Sequence, residues 1–460
     1  MPNRLIWFLL LAAALTLGGC KKAFLDKQPS TALIVPSTLT DYQNILNNTY
    51  AMTPTPVLGD ISTDNLYLTY SFWQSIDTKE ANAYIWAPDI YEGQGLDDNW
   101  DLPYQQVYYA NLVLEGLATV PRTVANTQQW LGIQGSALFI RAYAFYNIAQ
   151  LFAPVYDSGT AATDLGIPLR LHSSVTAPSI RATVQTTYGQ ILTDLQTAVP
   201  LLSPDFPTEQ RNLPSRPACY ALLARVLLSM RDYTQAGLYA DSALQLYDTL
   251  IDYNTVSTAS FLPFTRLNSE TLYQSNVVTS TQCLAAIEFP ECIVDSTLYA
   301  SYAATDLRRS ILFHLNTPSG LPNLNGSYAG LIFPFTGLAT DELYFIRAEA
   351  NARSGNITAA MSDLNTLLQH RYATGTFTPV TAATRAEARA LILAERRKEL
   401  PFRGLRWTDL RRLNKEGDNI TLTRLLNGTP YQLPPNSSLY TLPIPPDVLS
   451  DNPGMVQNIR

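Results

Sequence analysis

Ala221-Leu-Leu-Ala-Arg-Val-Leu-Leu-Ser-Met-Arg-Asp-Tyr-Thr-Gln-Ala236 and Phe345-Ile-Arg-Ala-Glu-Ala-Asn-Ala-Arg-Ser-Gly-Asn-Ile-Thr-Ala-Ala360 align without a gap. In each, a run of small and apolar residues at helical spacing reaches a short polar turn. An apolar residue and an alanine then begin a second run. Gly355 allows positive φ at its turn, and the alanine pairs Ala224/Ala236 and Ala348/Ala360 let two helices approach closely. The repeated unit is a helix-turn-helix that buries its apolar faces only by stacking on its neighbours.

This unit is similar to that of a tetratricopeptide-like array, and the rest of the chain extends it. Helical patterns occupy residues 37–50, Leu102–Leu117, Gln129–Leu151, Ala182–Ala198 and Pro217–Met230, then Thr340–Arg353, Ile357–Arg371 and Arg385–Leu400. Between them lie two loop-rich stretches of Pro, Gly, Asp, Asn, Ser, Thr and aromatics, at about residues 53–100 and 254–335. Leu422–Asp451 reads as Pro-rich coil. The expected fold is mostly α, with stacked helix pairs and long irregular excursions. Such a scaffold binds; the fold itself supplies no chemistry.

At the other end of the chain, Arg4 precedes an apolar run from Leu5 to Leu17, followed by Gly18-Gly19-Cys20. A positive start, a short greasy stretch and small residues before a cysteine read as a secretion signal, too short for a stable spanning helix. With only four cysteines in 460 residues, a cysteine at this place predicts cleavage after residue 19 and lipidation of Cys20. Residues 20–36 then form an anchor and tether, and residues 37–460 a single binding domain. Bacterial lipoprotein processing supplies several acyl chains, which hold firmly where one would not.

The formal net charge of −7 argues against a nucleic-acid surface, and no second apolar run is long enough to cross a bilayer. Cys219 lies in an apolar helix and reads as a small buried hydrophobe. Cys283 and Cys292 flank a short segment and either close it with a disulfide or remain free. His172, His314 and His370 lack ligand spacing, so no metal site is expected, and no cofactor motif is present. There is no Gly-x-Ser-x-Gly elbow, no Gly-Lys phosphate loop and no His-Glu-x-x-His pair. Asp97 and Asp98 are adjacent, which does not set two acids on opposite sides of a glycosidic bond. The chain reads as a binder, not an enzyme.

Several segments together resemble the SusD/RagB family of outer-membrane nutrient-binding lipoproteins of Bacteroidota. These are Cys20-Lys-Lys-Ala-Phe-Leu-Asp-Lys-Gln-Pro29, Ala137–Tyr146 with Leu151-Phe152, Gly166-Ile-Pro-Leu169, Ala221–Ala236 and Glu342–Ala350. The sharpest is Glu395-Arg-Arg-Lys-Glu-Leu-Pro-Phe-Arg-Gly-Leu-Arg-Trp-Thr-Asp-Leu-Arg-Arg412, and Leu442-Pro-Ile-Pro445 closes the series. Arg403 departs from the family pattern, where an acidic residue precedes the glycine. Within Glu395–Arg412, opposite charges are interleaved. The segment reads as a structural lock in which Glu395, Glu399 and Asp409 can pair with Arg396, Arg406 and Arg411, while Leu400, Phe402 and Trp407 pack inward. Asp306-Leu-Arg308 reads as a scaffold salt bridge, and Trp100 and Tyr104 as structural residues.

The resemblance implies a lipid-anchored, surface-exposed outer-membrane protein serving polysaccharide utilisation. It implies capture of an oligosaccharide or related nutrient and delivery to a TonB-dependent, SusC/RagA-like transporter. Binders of peptides or other non-glycan nutrients, and a structural or protein-interaction subunit, are the alternatives. Sugar rings offer apolar C–H faces to aromatics and hydroxyl rims to Asn, Asp, Gln and Arg. Function collects on loops held by a rigid frame, and these loops carry Asn65, Tyr67, Tyr70, Phe72, Trp73, Tyr84, Trp86 and Tyr91, then Tyr299, Tyr302, Asn325, Tyr328 and Phe335. Tyr70, Trp73, Trp86 and Tyr328 are the leading ligand-binding candidates.

Overall fold

The computed structural model describes residues 36–206, 208–285 and 290–460. The signal segment, Cys20 and most of the tether lie outside the described residues. Ten helices of eight residues or more form the frame among those described: α1 (Leu39–Leu46), α2 (Asp98–Leu117), α3 (Thr127–Phe152), α4 (Val184–Ala198), α5 (Arg216–Ser229), α6 (Tyr233–Leu246), α7 (Thr340–Ser354), α8 (Ile357–Gln369), α9 (Arg385–Glu399) and α10 (Arg406–Lys415). From α2 to α8 each packs on the next, and α7 also packs on α9. None of the described helices is long and apolar enough to cross a membrane.

The two aligned segments form turns of the same kind. α5 ends at Arg231 with φ 67°, and α7 ends at Gly355 with φ 93°. The next residue, Asp232 or Asn356, has φ −83° in both and caps the following helix, accepting from the N–H of Gln235 or Ala359. The Asp232 N–H returns to Leu227 O, and the Asn356 N–H to Asn351 O. These bonds satisfy carbonyls that a helix end otherwise leaves open. Ala224, Ala236, Ala348 and Ala360 are fully buried. A Cβ added at Gly237 would stand 2.6 Å from the Ala350 Cβ, so α6 and α7 meet there because one of them lacks a side chain.

α3 is buried on nearly every face from Ile133 onward, with both α2 and α4 packed on it. Its C-terminal carbonyls, Gln150 O and Ala153 O, accept from the guanidinium of Arg411, which complements the negative end of the helix. Cys219 is buried as expected. Capping boxes at Thr38/Asp41 and Thr384/Glu387 begin α1 and α9.

The Glu395–Arg412 lock exists, but most of its partners lie elsewhere in the chain. Arg396 does pair with Asp409 at 2.9 Å, and Leu400, Phe402 and Trp407 are buried. Glu399 instead meets Arg371 at 2.6 Å and Arg308 at 3.1 Å, Arg406 meets Asp64 at 2.8 Å, and Arg412 meets Glu349 at 2.8 Å. Asp306 and Arg308 form the expected scaffold bridge, 2.6 Å. Arg403, the family departure, reaches Asp341 at 3.0 Å and lies over the Tyr328 and Phe335 rings.

One expectation for the C-terminal region is corrected. Leu422–Leu426 and Thr429–Leu433 pair as an antiparallel hairpin, and Pro446–Asp451 forms a short helix. Asn427 and Gly428 both have positive φ at the hairpin tip, the tight turn that this dipeptide favours. Pro430 fits because this two-stranded sheet consists of edges.

Candidate functional site

The two loop-rich stretches form one body although about two hundred residues separate them. Pro54–Thr55 pairs with Asn276–Val277, and Leu66–Leu68 runs antiparallel to Cys292–Val294. Gln282 accepts the Asp77 N–H at 2.8 Å, and the buried Glu80 carboxylate accepts the N–H of Cys283 at 2.9 Å. Cys283 and Cys292 are free thiols, so the disulfide alternative is not realised in the structure.

On this body stands a single turn of helix, Tyr70–Trp73. Thr69 caps it, accepting the Phe72 N–H. Phe72 turns inward, while Tyr70 is 38% exposed. Positions three apart share a helix face, and the Tyr70 and Trp73 rings stack with centroids 5.8 Å apart and planes 26° from parallel. The Trp73 Nε1–H donates to Ala81 O at 2.9 Å, and Gln74 donates to the Tyr70 hydroxyl at 3.0 Å. Trp73 is half-buried against the core with its N–H occupied, so it offers only the part of its ring left uncovered. Ser71, Gln74 and Ser75 are exposed beside the pair. The arrangement is a small preorganised aromatic surface with a polar border, suited to a ligand with an apolar face and hydroxyl edges.

The structure does not bring the other two leading candidates to this surface. Trp86 is 2% exposed; its Nε1–H donates to Ser62 O at 3.0 Å and Arg424 covers its ring. Tyr328 is also 2% exposed, bonded through its hydroxyl to Glu270 at 2.7 Å and Tyr253 at 2.9 Å. Neither can present a ring to an external ligand in this conformation. The same holds for Phe72, Tyr84, Tyr91, Tyr302, Asn325 and Phe335, all buried, whereas Tyr67 and Tyr299 are half-buried and Asn65 is buried. Trp100 and Tyr104 are structural: the first packs edge-on against Phe152, and the second donates to Pro168 O.

Phe261 was not among the sequence candidates. It is 52% exposed, edge-on to the His314 ring with centroids 4.7 Å apart. Its signal in the sequence is Ser260-Phe-Leu-Pro263, two adjacent large apolar residues in a polar loop, which cannot both find cover easily. Among the described residues no group of three or more His, Cys, Asp or Glu side chains is placed to hold a metal ion.

Two family models match the chain. One, described as "Starch-binding associating with outer membrane", matches residues 23–228, and one described as "SusD family" matches residues 340–460. Among solved structures, a putative sugar binding protein from Bacteroides vulgatus ATCC 8482 is similar at 21% identity and TM-score 0.73, covering 93% of this chain and 99% of that one. A SusD superfamily protein from Bacteroides thetaiotaomicron VPI-5482 is similar at 21% identity and TM-score 0.74, covering 92% and 100%. Surface glycan-binding protein A from Bacteroides uniformis is similar at 15% identity and TM-score 0.70, covering 92% and 99%. At these identities the likeness is one of fold. No curated protein matches the sequence.

Proposed function

Because the chain belongs to the SusD/RagB family, we propose that it binds carbohydrate at the outer membrane and passes an oligosaccharide to a TonB-dependent transporter. The observation that carries the binding step is the stacked Tyr70–Trp73 pair, fixed by the Thr69 cap and the Trp73–Ala81 hydrogen bond. Both rings are held before a ligand arrives, so little side-chain freedom is lost on binding. In this reading the pair stacks on sugar C–H faces while Gln74 and the neighbouring serines meet hydroxyls. Phe261 supplies a further exposed aromatic, on the second loop-rich stretch.

The anchor and partner follow from the same reading. Lipid on Cys20 holds the binder at the membrane, and a tethered binder needs a separate protein to carry ligand across. Capture proceeds without turnover of the sugar. The test is a panel of purified oligosaccharides and peptides titrated into detergent-solubilised full-length protein, with product analysis of every ligand that binds. Oligosaccharide binding that is lost in Trp73→Ala and leaves the ligand intact supports the proposal. Binding confined to peptides, or sugar binding indifferent to Trp73→Ala, would sink it. Co-purification with a TonB-dependent transporter, lost in Cys20→Ala cells that no longer retain the protein at the membrane, tests delivery.

A further inference from the structure

A cavity of about 420 Å³ lies between the end of α3, the strand Leu165–Pro168, the 436–441 turn and the last residues of the chain. That volume falls within the roughly 300–1,000 Å³ of small-molecule pockets. It shares no residue with the loops that carry Tyr70 and Trp73, and its apolar walls include Leu165 and Val456.

Arg411 lines this cavity and is 4% exposed. Every other buried arginine among the described residues has a carboxylate within ion-pair distance or an aromatic ring under its guanidinium. Arg411 has neither. Two of its nitrogens donate to Gln150 O and Ala153 O, and its buried Nε–H has no partner. Burial pushes the guanidinium down to about 10, still charged at neutral pH. A buried charge without a counter-charge is costly, and the helix end offsets only part of it.

The surroundings favour an anion with hydroxyl groups. Lys415 also lines the cavity, one-third exposed and 3.5 Å from Asp157. Arg181 and Asp164 line it too and balance each other in charge, and Asp157 faces Lys415 from outside the lining, which leaves the Arg411 cation in excess with Lys415 beside it. Among the described residues the hydroxyls of Ser438 and Thr441 donate no hydrogen bond within the protein, and both line the same space. We propose that this cavity binds a small hydroxylated carboxylate of the size of one acidic sugar residue, its carboxylate facing Arg411 and Lys415 and its hydroxyls facing Ser438 and Thr441. The proposal is independent of the aromatic surface.

The experiment is calorimetric titration of the full chain with glucuronate, galacturonate and N-acetylneuraminate, against glucose and galactose as neutral controls. At least one acid binds saturably, at least tenfold tighter than the neutral sugars, and weakens as salt is raised. Lys415→Gln weakens it at least threefold, Ser438→Trp fills the space and abolishes it, and Trp73→Ala leaves it unchanged. Unaltered circular dichroism shows that the variants fold. Three results overturn the proposal: no binding of any of the acids, equal binding of acid and neutral sugar, or binding lost in Trp73→Ala and retained in Ser438→Trp. Because Trp73→Ala and Ser438→Trp act on different sites, failure here is distinguishable from failure of glycan binding at the aromatic pair.

Discussion

Asp60→Asn should remove a pH dependence of stability that one buried carboxyl imposes on the whole fold. Asp60 sits in the one-turn helix Leu58–Ile61 and is fully enclosed. Its Oδ2 accepts the Gly404 N–H at 2.8 Å, while Oδ1 has no partner. Burial raises the carboxyl from its ordinary 3.8 to about 7, and the Gly404 N–H offsets this only in part. Between those two values the folded chain holds a proton that the unfolded chain has lost, so stability falls as pH rises. Each unit is about 1.4 kcal/mol, and the full effect is on the order of 4 kcal/mol, complete above pH 7. Asparagine keeps an acceptor for Gly404 but brings a buried N–H₂, which shifts the absolute stability by about 1–3 kcal/mol at every pH. The slope is therefore the measurement. Urea unfolding of both chains from pH 4.5 to 8 should show the variant gaining about 3 kcal/mol on the parent as pH rises. The other titrating groups are common to both chains and cancel. A difference that stays flat across this range refutes the reasoning, and it would mean that Asp60 ionises at its ordinary value despite its burial.

Trp73→Ala and Tyr70→Ala should each weaken oligosaccharide binding by about 2 kcal/mol, roughly 30-fold, with a smaller loss of stability than removal of a core ring. Trp86→Ala should do the reverse in the same titration and melting assays, costing about 3–5 kcal/mol of stability because its ring is core. Gly355→Ala forces a side chain into left-handed backbone and sets its Cβ 2.5 Å from an Arg385 nitrogen; denaturant unfolding should show a loss of about 1–2 kcal/mol. Arg412→Met takes from the fully buried Glu349 carboxylate the guanidinium that grips it through two nitrogens at 2.8 Å each, and leaves it Arg353 alone at 2.9 Å. The expected cost is about 3–5 kcal/mol, largely recovered when Glu349→Leu is added, as a double-mutant cycle would show.

The frame was legible because its signals are local and periodic. The Gly355-Asn356 and Arg231-Asp232 turns occupy the same place in aligned segments, and both adopt the left-handed-then-capping geometry. α3 was legible as one long helix, since nothing in residues 129–151 interrupts its pattern. The hairpin at Asn427-Gly428 carried a clear turn signal, but the prolines around it, Pro430, Pro434 and Pro435, outweighed it in a reading by composition. Ion pairing was harder. The Glu395–Arg412 segment announces a lock by its charge pattern, yet charge pattern cannot say that Arg406 closes on Asp64 across more than three hundred residues.

Ring type alone could not separate binding aromatics from packing ones, and the two groups differ in backbone context. A stretch without long helices still needs its own core, and aromatics fill irregular spaces when their polar tips find partners. Trp86 illustrates this: its backbone is left-handed, φ 58°, a strain of roughly 1–2 kcal/mol. That strain is sustained by the Ser62 carbonyl on its N–H and the Arg424 cation on its ring. Such over-determination holds a residue in place and closes it to ligand. Tyr70 and Trp73 stand in unstrained helical backbone begun by a threonine cap, three positions apart, with Phe72 between them turning inward. That pattern, Thr69-Tyr-Ser-Phe-Trp73, is written in the sequence. With Phe72 turned inward, the turn leaves Tyr70 exposed and Trp73 half-buried beside it. Phe72→Ala should therefore loosen the turn and weaken sugar binding without removing either stacking ring. A titration in which Phe72→Ala binds as tightly as the parent would show that the pair keeps its geometry without that anchor.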